Sequence, residues 1–216
     1  MLKTAALFDL DGTLLDSLED IADSMNAVLR SMGFPPHPVE AYRFFVGDGV
    51  PPLLERALPA GEGSPAIIEK CGKMMSEEYA KRWQNKTRPY PGIPLLLTNL
   101  AVSGVPMSVF SNKPDEFTRI MVETLLPDWD FVSVVGIKPG IPRKPNPEAA
   151  LKAARLMHCP PENVIYLGDT GTDMKTAQNA GMFAVGALWG FRSRAELEAH
   201  GARRIIAEPR DFLSFF

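Results

Sequence analysis

Four short polar clusters carry the residue types that could do chemistry in this chain: Asp9 with Asp11, Ser111 with Asn112, Lys144 alone, and Asp169 with Asp173. Carboxylates gathered at one place repel each other. They stay ionised together only where a cation or strong donors offset that repulsion. An oxygen-rich set of this kind suits Mg²⁺, which keeps some of its waters and is commonly shared with a substrate phosphate. A carboxylate aimed by such an ion can attack phosphorus in line and form an aspartyl-phosphate. A second carboxylate two residues on can protonate the leaving oxygen and later take a proton from the attacking water. The ammonium of Lys144 and the hydroxyl of Ser111 would hold the phosphoryl oxygens as charge develops.

The elements that must bring these groups together are short apolar strands, each ending at a cluster. Residues 5–10 read as a buried strand that runs into Asp9 and Asp11. Residues 105–110 form a second, followed by Ser111 and Asn112; residues 131–135 form a third, with Lys144 in the loop beyond it. Residues 164–167 precede Asp169 and Asp173, and strands at 183–188 and 204–206 complete the set. Helical stretches lie between them, at about 94–102, Pro114 to Leu126, Pro147 to His158, 172–179 and 194–200. Strands alternating with helices predict an α/β fold, a doubly wound parallel sheet with helices on both faces. Ligands in such sheets bind beyond the carboxyl ends of the strands. Gly12, Gly168 and Gly171 beside the acids let the backbone turn tightly or approach a ligand.

Between about residues 16 and 88 the pattern is different, and no strand is expected. Leu18, Ile21, Ala22, Met25, Val28, Leu29 and Met32 share one helical face, with Ser17 and Asp20 as an expected capping pair and Gly33 as a stop. Residues 34–38 break the chain with three prolines. Pro51 and Pro52 suit the first turn of one further helix and Pro65 opens another. Thr87 to Pro94 reads as the link back. The expected organisation is a core of residues 1–15 plus 90–216 with a helical insertion at 16–89.

Bulk properties narrow the class. The chain has 216 residues, 45% hydrophobic and 23% charged, as in ordinary globular proteins. A net charge of −3 with no polybasic block argues against nucleic acid and anionic membrane partners. A net negative protein that handles an anion must concentrate positive charge locally. Cys71 and Cys159 have no metal-ligand spacing and read as reduced residues of a cytoplasmic protein. No signal-peptide pattern and no apolar run of membrane-spanning length is seen. His37, His158 and His200 lie away from the clusters and read as structural or exposed.

Phe8-Asp9-Leu10-Asp11-Gly12-Thr13-Leu14-Leu15-Asp16-Ser17 resembles the first signature of the haloacid dehalogenase-like hydrolase superfamily. Ser111-Asn112 resembles its second, Lys144-Pro145-Asn146-Pro147 its lysine signature, and Gly168-Asp169-Thr170-Gly171-Thr172-Asp173 its acidic one, all in order. The resemblance implies a Rossmann-like core with an inserted helical cap. It implies Asp9 as nucleophile and Asp11 as general acid/base. Mg²⁺ would be bound by Asp9, the Asp11 carbonyl and Asp169, with Asp173 in support. Ser111 and Lys144 would act on the phosphoryl group, and Gly12, Thr13 and Asn112 would lie against substrate.

Asp11 resembles the phosphatase branch rather than the dehalogenase or phosphonate-cleaving ones. Val46-Gly47-Asp48-Gly49-Val50 and Leu53-Leu54-Glu55-Arg56-Ala57-Leu58, with Ser111-Asn112-Lys113-Pro114 and Leu188-Trp189-Gly190-Phe191-Arg192, resemble the phosphoglycolate phosphatase-like subgroup. Gly47 and Arg56 are then candidate substrate contacts, Arg56 as a planar fork for a carboxylate. Lys113 reads either as a surface residue or as a further contact. Similar caps occur in pyrophosphatases, nucleotidases, sugar phosphatases and phosphomutases. The implied partner is a small phosphate ester, on a monomer or a homodimer. Two readings of other classes stand beside this one, a phospho-acceptor signalling module and a silent binding protein. Asp11 and the helical insertion speak against the first, and the complete set of acids against the second.

Overall fold

The computed structural model describes residues 4–216. In chain order its elements are β1 (Ala5–Phe8), β2 (Leu15–Asp16), α1 (Leu18–Ser31), α2 (Tyr42–Phe45), α3 (Val50–Ala57), α4 (Pro65–Arg82), β3 (Arg88–Pro89) and α5 (Ile93–Val102). They continue with β4 (Met107–Pro114), α6 (Asp115–Leu125), β5 (Ser133–Ile137), α7 (Glu148–Leu156), β6 (Val164–Gly168), α8 (Gly171–Asn179), β7 (Phe183–Ala187), α9 (Arg194–Ala199) and β8 (Arg204–Ile206). Three short 3₁₀ segments, Val39–Ala41, Pro161–Asn163 and Pro209–Phe215, complete the chain. The chain divides into two compact units. One is the N-terminal stretch to Leu15 with Pro89–Phe216, and the other is Asp16–Arg88.

The first unit is built on a six-stranded sheet of order β5-β4-β1-β6-β7-β8. Every neighbouring pair is parallel. Strands covered on both faces must be apolar along their whole length. Accordingly all four residues of β1 and all five of β6 are buried. One core layer joins Ala5, Leu7, Phe110 and Tyr166 to the alanine face of α7 and to Met174 and Ala177 of α8. Small residues on these helices let them lie close to the sheet. The central position of β1 and β6 sets Asp9 and Asp169 side by side at the carboxyl edge, because Asp9 N donates to Leu167 O at 2.9 Å.

Several boundaries differ from the sequence expectation. The second strand does not stop at residue 110 but runs to Pro114, so Ser111 and Asn112 lie within it. The third begins at Ser133, two residues late. The C-terminal 3₁₀ segment was not expected. It spans seven residues, and is held by a reciprocal cap in which Glu208 and Asp211 each bond the other's backbone.

The helical unit packs α1 against α4 and α3 against α4. The proline-rich stretch after α1 is not a bare break. Asn26 pins it, with Nδ2 donating to His37 O at 2.8 Å and Oδ1 accepting from His37 N at 2.9 Å. The Tyr42 hydroxyl donates to the same Oδ1 at 2.7 Å. Ser17 sits at the N-cap of α1 but its side chain makes no cap bond. The expected pairing with Asp20 is therefore wrong. Asp20 points instead to residues 86 and 87, from which its carboxylate accepts hydrogen bonds.

Candidate active site

Every strand-end acid of the core unit is held by a specific partner. Asp9 follows β1 and is buried. Its Oδ1 accepts from Lys144 Nζ at 2.7 Å, and the same ammonium donates to Asp173 Oδ1 at 2.7 Å. Lys144 is itself buried between the rings of Phe110 and Tyr166, 5.1 and 5.5 Å from their centroids. Burial alone would pull its proton off. The two carboxylates outweigh that and hold its pKa well above the ordinary lysine range. Lys144 is thus a fixed cation.

Asp173 does two jobs with its two oxygens. Oδ1 takes Lys144 and, at 3.3 Å, the Tyr166 hydroxyl. Oδ2 accepts from Thr170 N at 3.1 Å and from Thr170 Oγ1 at 2.6 Å, closing the capping box that starts α8. The helix start and the charge cluster are the same structure. Asp169 accepts from Thr13 Oγ1 at 3.1 Å and from Phe191 N at 2.8 Å.

These three acids form the metal-ready group. One oxygen each from Asp9, Asp169 and Asp173 lie within 4.8 Å of one another, all buried. Burial and the Asp173 charge, partly offset by Lys144, push the Asp9 pKa up to about 7. Burial and the charges of Asp9 and Asp173 raise Asp169 well above the usual carboxylate range. If all four carboxylates of this rim, Asp9, Asp11, Asp169 and Asp173, are ionised, they exceed the ammonium groups of Lys113 and Lys144 by two charges. Hard oxygen donors with that excess fit a divalent cation. The carboxylate of Asp11 is not in this group. Lys113 Nζ holds it, at 3.0 Å from Oδ1 and 2.8 Å from Oδ2.

Two expected substrate contacts are engaged with the scaffold. Asn112 Oδ1 accepts from Lys144 N at 2.8 Å, which anchors the lysine loop, and Thr13 is committed to Asp169. Ser111 is buried at the same strand end, and its Oγ accepts from Lys113 N at 3.3 Å. Gly12 must be glycine. Its φ is +88°, and a Cβ there would lie 2.4 Å from Asp169 Oδ2. Gly190, which only the resemblance had singled out, closes the other side: its Cβ would fall 2.3 Å from that of Asp169. Trp189 Nε1 donates to Thr13 O at 2.9 Å and ties this loop to the first signature.

The remaining candidates belong to the helical unit. Arg56 NH2 pairs with Asp48 Oδ2 at 2.6 Å, and NH1 donates to Phe45 O at 3.1 Å. Gly47, with φ +119°, forms part of the loop that presents Asp48. Arg56 therefore braces its own loop.

The arrangement has known counterparts. A family model described as haloacid dehalogenase-like hydrolase matches residues 6–187. The chain belongs to that family. Within it, a phosphoglycolate phosphatase of Pseudomonas putida is 30% identical over 98% of this chain and 79% of its own. One from Aquifex aeolicus is 32% identical over 86% of this chain and 84% of its own. A solved structure from Lactobacillus delbrueckii subsp. bulgaricus is 31% identical, covers 98% of this chain and 97% of that one, and superposes with a TM-score of 0.90. The haloacid dehalogenase-like chain described here is thus an enzyme of the phosphoglycolate phosphatase-like branch. Among the described residues no helix is long and apolar enough to cross a membrane.

Proposed function

We propose that this hydrolase removes phosphate from phosphoglycolate, or from a closely similar small carboxylated phosphate ester, by way of an aspartyl-phosphate on Asp9. The observation that carries the reading is Lys144 bridging Asp9 and Asp173, with Asp169 completing the acid group. That constellation fixes a nucleophile beside a permanent cation, as transfer of a charged phosphoryl group needs. The names of the relatives support the choice of substrate.

In the proposed cycle an Asp9 oxygen attacks phosphorus, the ester P–O bond breaks, and the leaving oxygen takes its proton from Asp11. Water then attacks the phosphorus of the aspartyl-phosphate, the bond to Asp9 breaks, and Asp11 receives the water proton. Lys144 and Ser111 face the phosphoryl oxygens. Asp9, Asp169 and the Asp11 carbonyl would hold Mg²⁺, supported by Asp173; when bound, the ion supplies charge neutralisation between nucleophile and phosphate. The helical unit, inserted between β1 and the rest of the core, serves in this reading as the substrate-selecting cap. The two buried free cysteines support a reducing, cytoplasmic setting.

The test is phosphate release with Mg²⁺ and with EDTA from phosphoglycolate, pyrophosphate, nucleoside monophosphates and sugar phosphates. Metal-dependent release peaking on phosphoglycolate is expected. A peak elsewhere would move the substrate to another of these classes, and a stable phosphoprotein without turnover would mean a signalling module.

A further inference from the structure

The two lysines at the carboxyl edge divide the acids between them. Lys144 takes Asp9 and Asp173, and Lys113 takes Asp11. The second pair is nearly as withdrawn from solvent as the first, with side-chain exposures of 5% for Lys113 and 10% for Asp11. Burying an ammonium costs several kcal/mol per ion unless a partner and good geometry offset it. An amphipathic strand end would normally leave such a lysine in water.

The backbone is built to prevent that. β4 pairs with β5 at Phe110↔Val135 and next at Pro114↔Ile137, so four steps of β4 run against two of β5. A bulge of this kind re-aims side chains. Ser111, Asn112 and Lys113 lie in this bulge and are all buried, as are residues 107–110 before it. Both backbone polar groups of Lys113 are held: its N–H donates to Ser111 Oγ at 3.3 Å, and its carbonyl accepts from Thr118 Oγ1 at 3.3 Å. Gly136 lies against that carbonyl, 2.7 Å from where a Cβ would be. On the facing side the Asp11 backbone sits in a tight turn, with Thr13, Leu14 and Leu15 N–H groups all donating to Leu10 O.

Resting on the phosphatase reading above, we propose that Lys113 is a positioning residue that orients Asp11 for both of its proton transfers. With its backbone fixed an aspartate side chain keeps a staggered χ1 and a broad, soft χ2, and a proton must leave from a defined oxygen. Holding both oxygens restrains χ2 for the carboxylate that accepts the water proton. In the protonated acid one carbonyl oxygen still accepts from Nζ, which turns the O–H to the other side. Asp11 Oδ1 and Oδ2 at 3.0 and 2.8 Å from one ammonium are the geometry this requires.

The experiment compares wild type, Lys113→Met, Lys113→Arg and Asp11→Asn in the full chain. Each is assayed on an alkyl phosphate, whose leaving oxygen needs a proton, and on p-nitrophenyl phosphate, whose leaving group does not. Lys113→Met is expected to lower kcat/KM, which reports phosphoryl transfer apart from the later water attack common to both esters, about 100-fold on the alkyl ester, the low end of general acid contributions, and only a few-fold on the aryl ester. Asp11→Asn should show the same split and Lys113→Arg should recover much of the loss. Unfolding midpoints check each variant, and Lys113→Gln replaces the Met variant should that one fail to fold. Equal loss on both esters, or a rise in KM for carboxylated substrates alone, would overturn the proposal. If Asp11→Asn splits the esters and Lys113→Met does not, the positioning role fails alone. If Asp11→Asn shows no split, the acid/base reading fails with it.

Discussion

Asp20 Oδ2 accepts the Thr87 hydroxyl at 2.7 Å and the Thr87 backbone N–H at 2.9 Å, joining the start of the helical unit to its last residues. Lys86 N donates to the same oxygen at 2.9 Å. A buried carboxylate with this many donors replaces its lost water shell bond for bond. Replacing Asp20 with Ala leaves the buried N–H and hydroxyl of Thr87 and the half-buried N–H of Lys86 unsatisfied. Each such orphan costs about 1–3 kcal/mol, so we expect a loss of roughly 2–4 kcal/mol of unfolding free energy after partial rehydration. Urea denaturation of Asp20→Ala checks it, and a loss under 1 kcal/mol would show that water replaces the carboxylate freely.

Gly190→Ala tests how tightly the Asp169 carboxylate is boxed. The new methyl would stand 2.3 Å from Asp169 Cβ and 2.4 Å from Gly12 O, both on fixed elements. Asp169 must then rotate or the loop must withdraw, and the Phe191 N–H bond lengthens. Disturbing a group that orients a metal ligand typically weakens metal affinity about 10–100-fold. Calorimetric titration of Mg²⁺ into Gly190→Ala should show a loss in that range. An unchanged affinity would place the cation away from Asp169.

What was legible in the sequence follows from how local each signal is. Asp9, Asp169 and the strands that carry them were readable because a buried parallel strand is apolar throughout and its first polar residue marks the sheet edge. Lys144 was readable from its loop. Lys113 was not, since its direction depends on a bulge that exists only in the register of β4 against β5. Gly190 and the Phe191 amide act on Asp169 across 21 and 22 positions, a separation without a sequence period. The 3₁₀ turn at 39–41 and α2 were hidden by prolines and are held by Asn26, Tyr42 and His37 rather than by helix propensity. The pairing of Arg56 with Asp48, eight residues back, was hidden because that loop had no readable geometry.

Lys144→Met should disable the site without dismantling the fold. Its ammonium meets two carboxylates, and no other lysine is bonded to Asp9 or Asp173 among the described residues. With the cation gone, Asp9 and Asp173 repel each other directly, and a nucleophile that must be ionised becomes harder to ionise. We expect kcat on every phosphate ester to fall at least about 100-fold, the loss typical for removing a preorganised charge partner. Lys144→Arg should not restore it, since a planar guanidinium cannot occupy the point between two facing carboxylates and the Phe110 ring. Half of wild-type turnover in Lys144→Met would refute the arrangement.

Metal binding should become more stabilising as pH rises. Without a cation Asp9 is held at about 7, against its ordinary value of 3.8, by burial and by Asp173. A carboxyl whose folded pKa is raised adds stability in its protonated form. That contribution is complete below pH 3.8 and lost as the pH climbs through about 7. Asp169 is shifted in the same direction. Above pH 7 the metal-free protein therefore carries mutually repelling buried charges, which a divalent ion offsets. Below pH 5 protons already do so, and the ion must displace them. Thermal unfolding with Mg²⁺ and with EDTA should show a larger Mg²⁺-dependent rise in Tm at pH 8 than at pH 5, scaling with the ratio of ion concentration to Kd. Asp169→Asn should abolish most of the rise at pH 8. An equal rise at both pH values, or one that survives in Asp169→Asn, would mean that the stabilising ion binds elsewhere than among Asp9, Asp169 and Asp173.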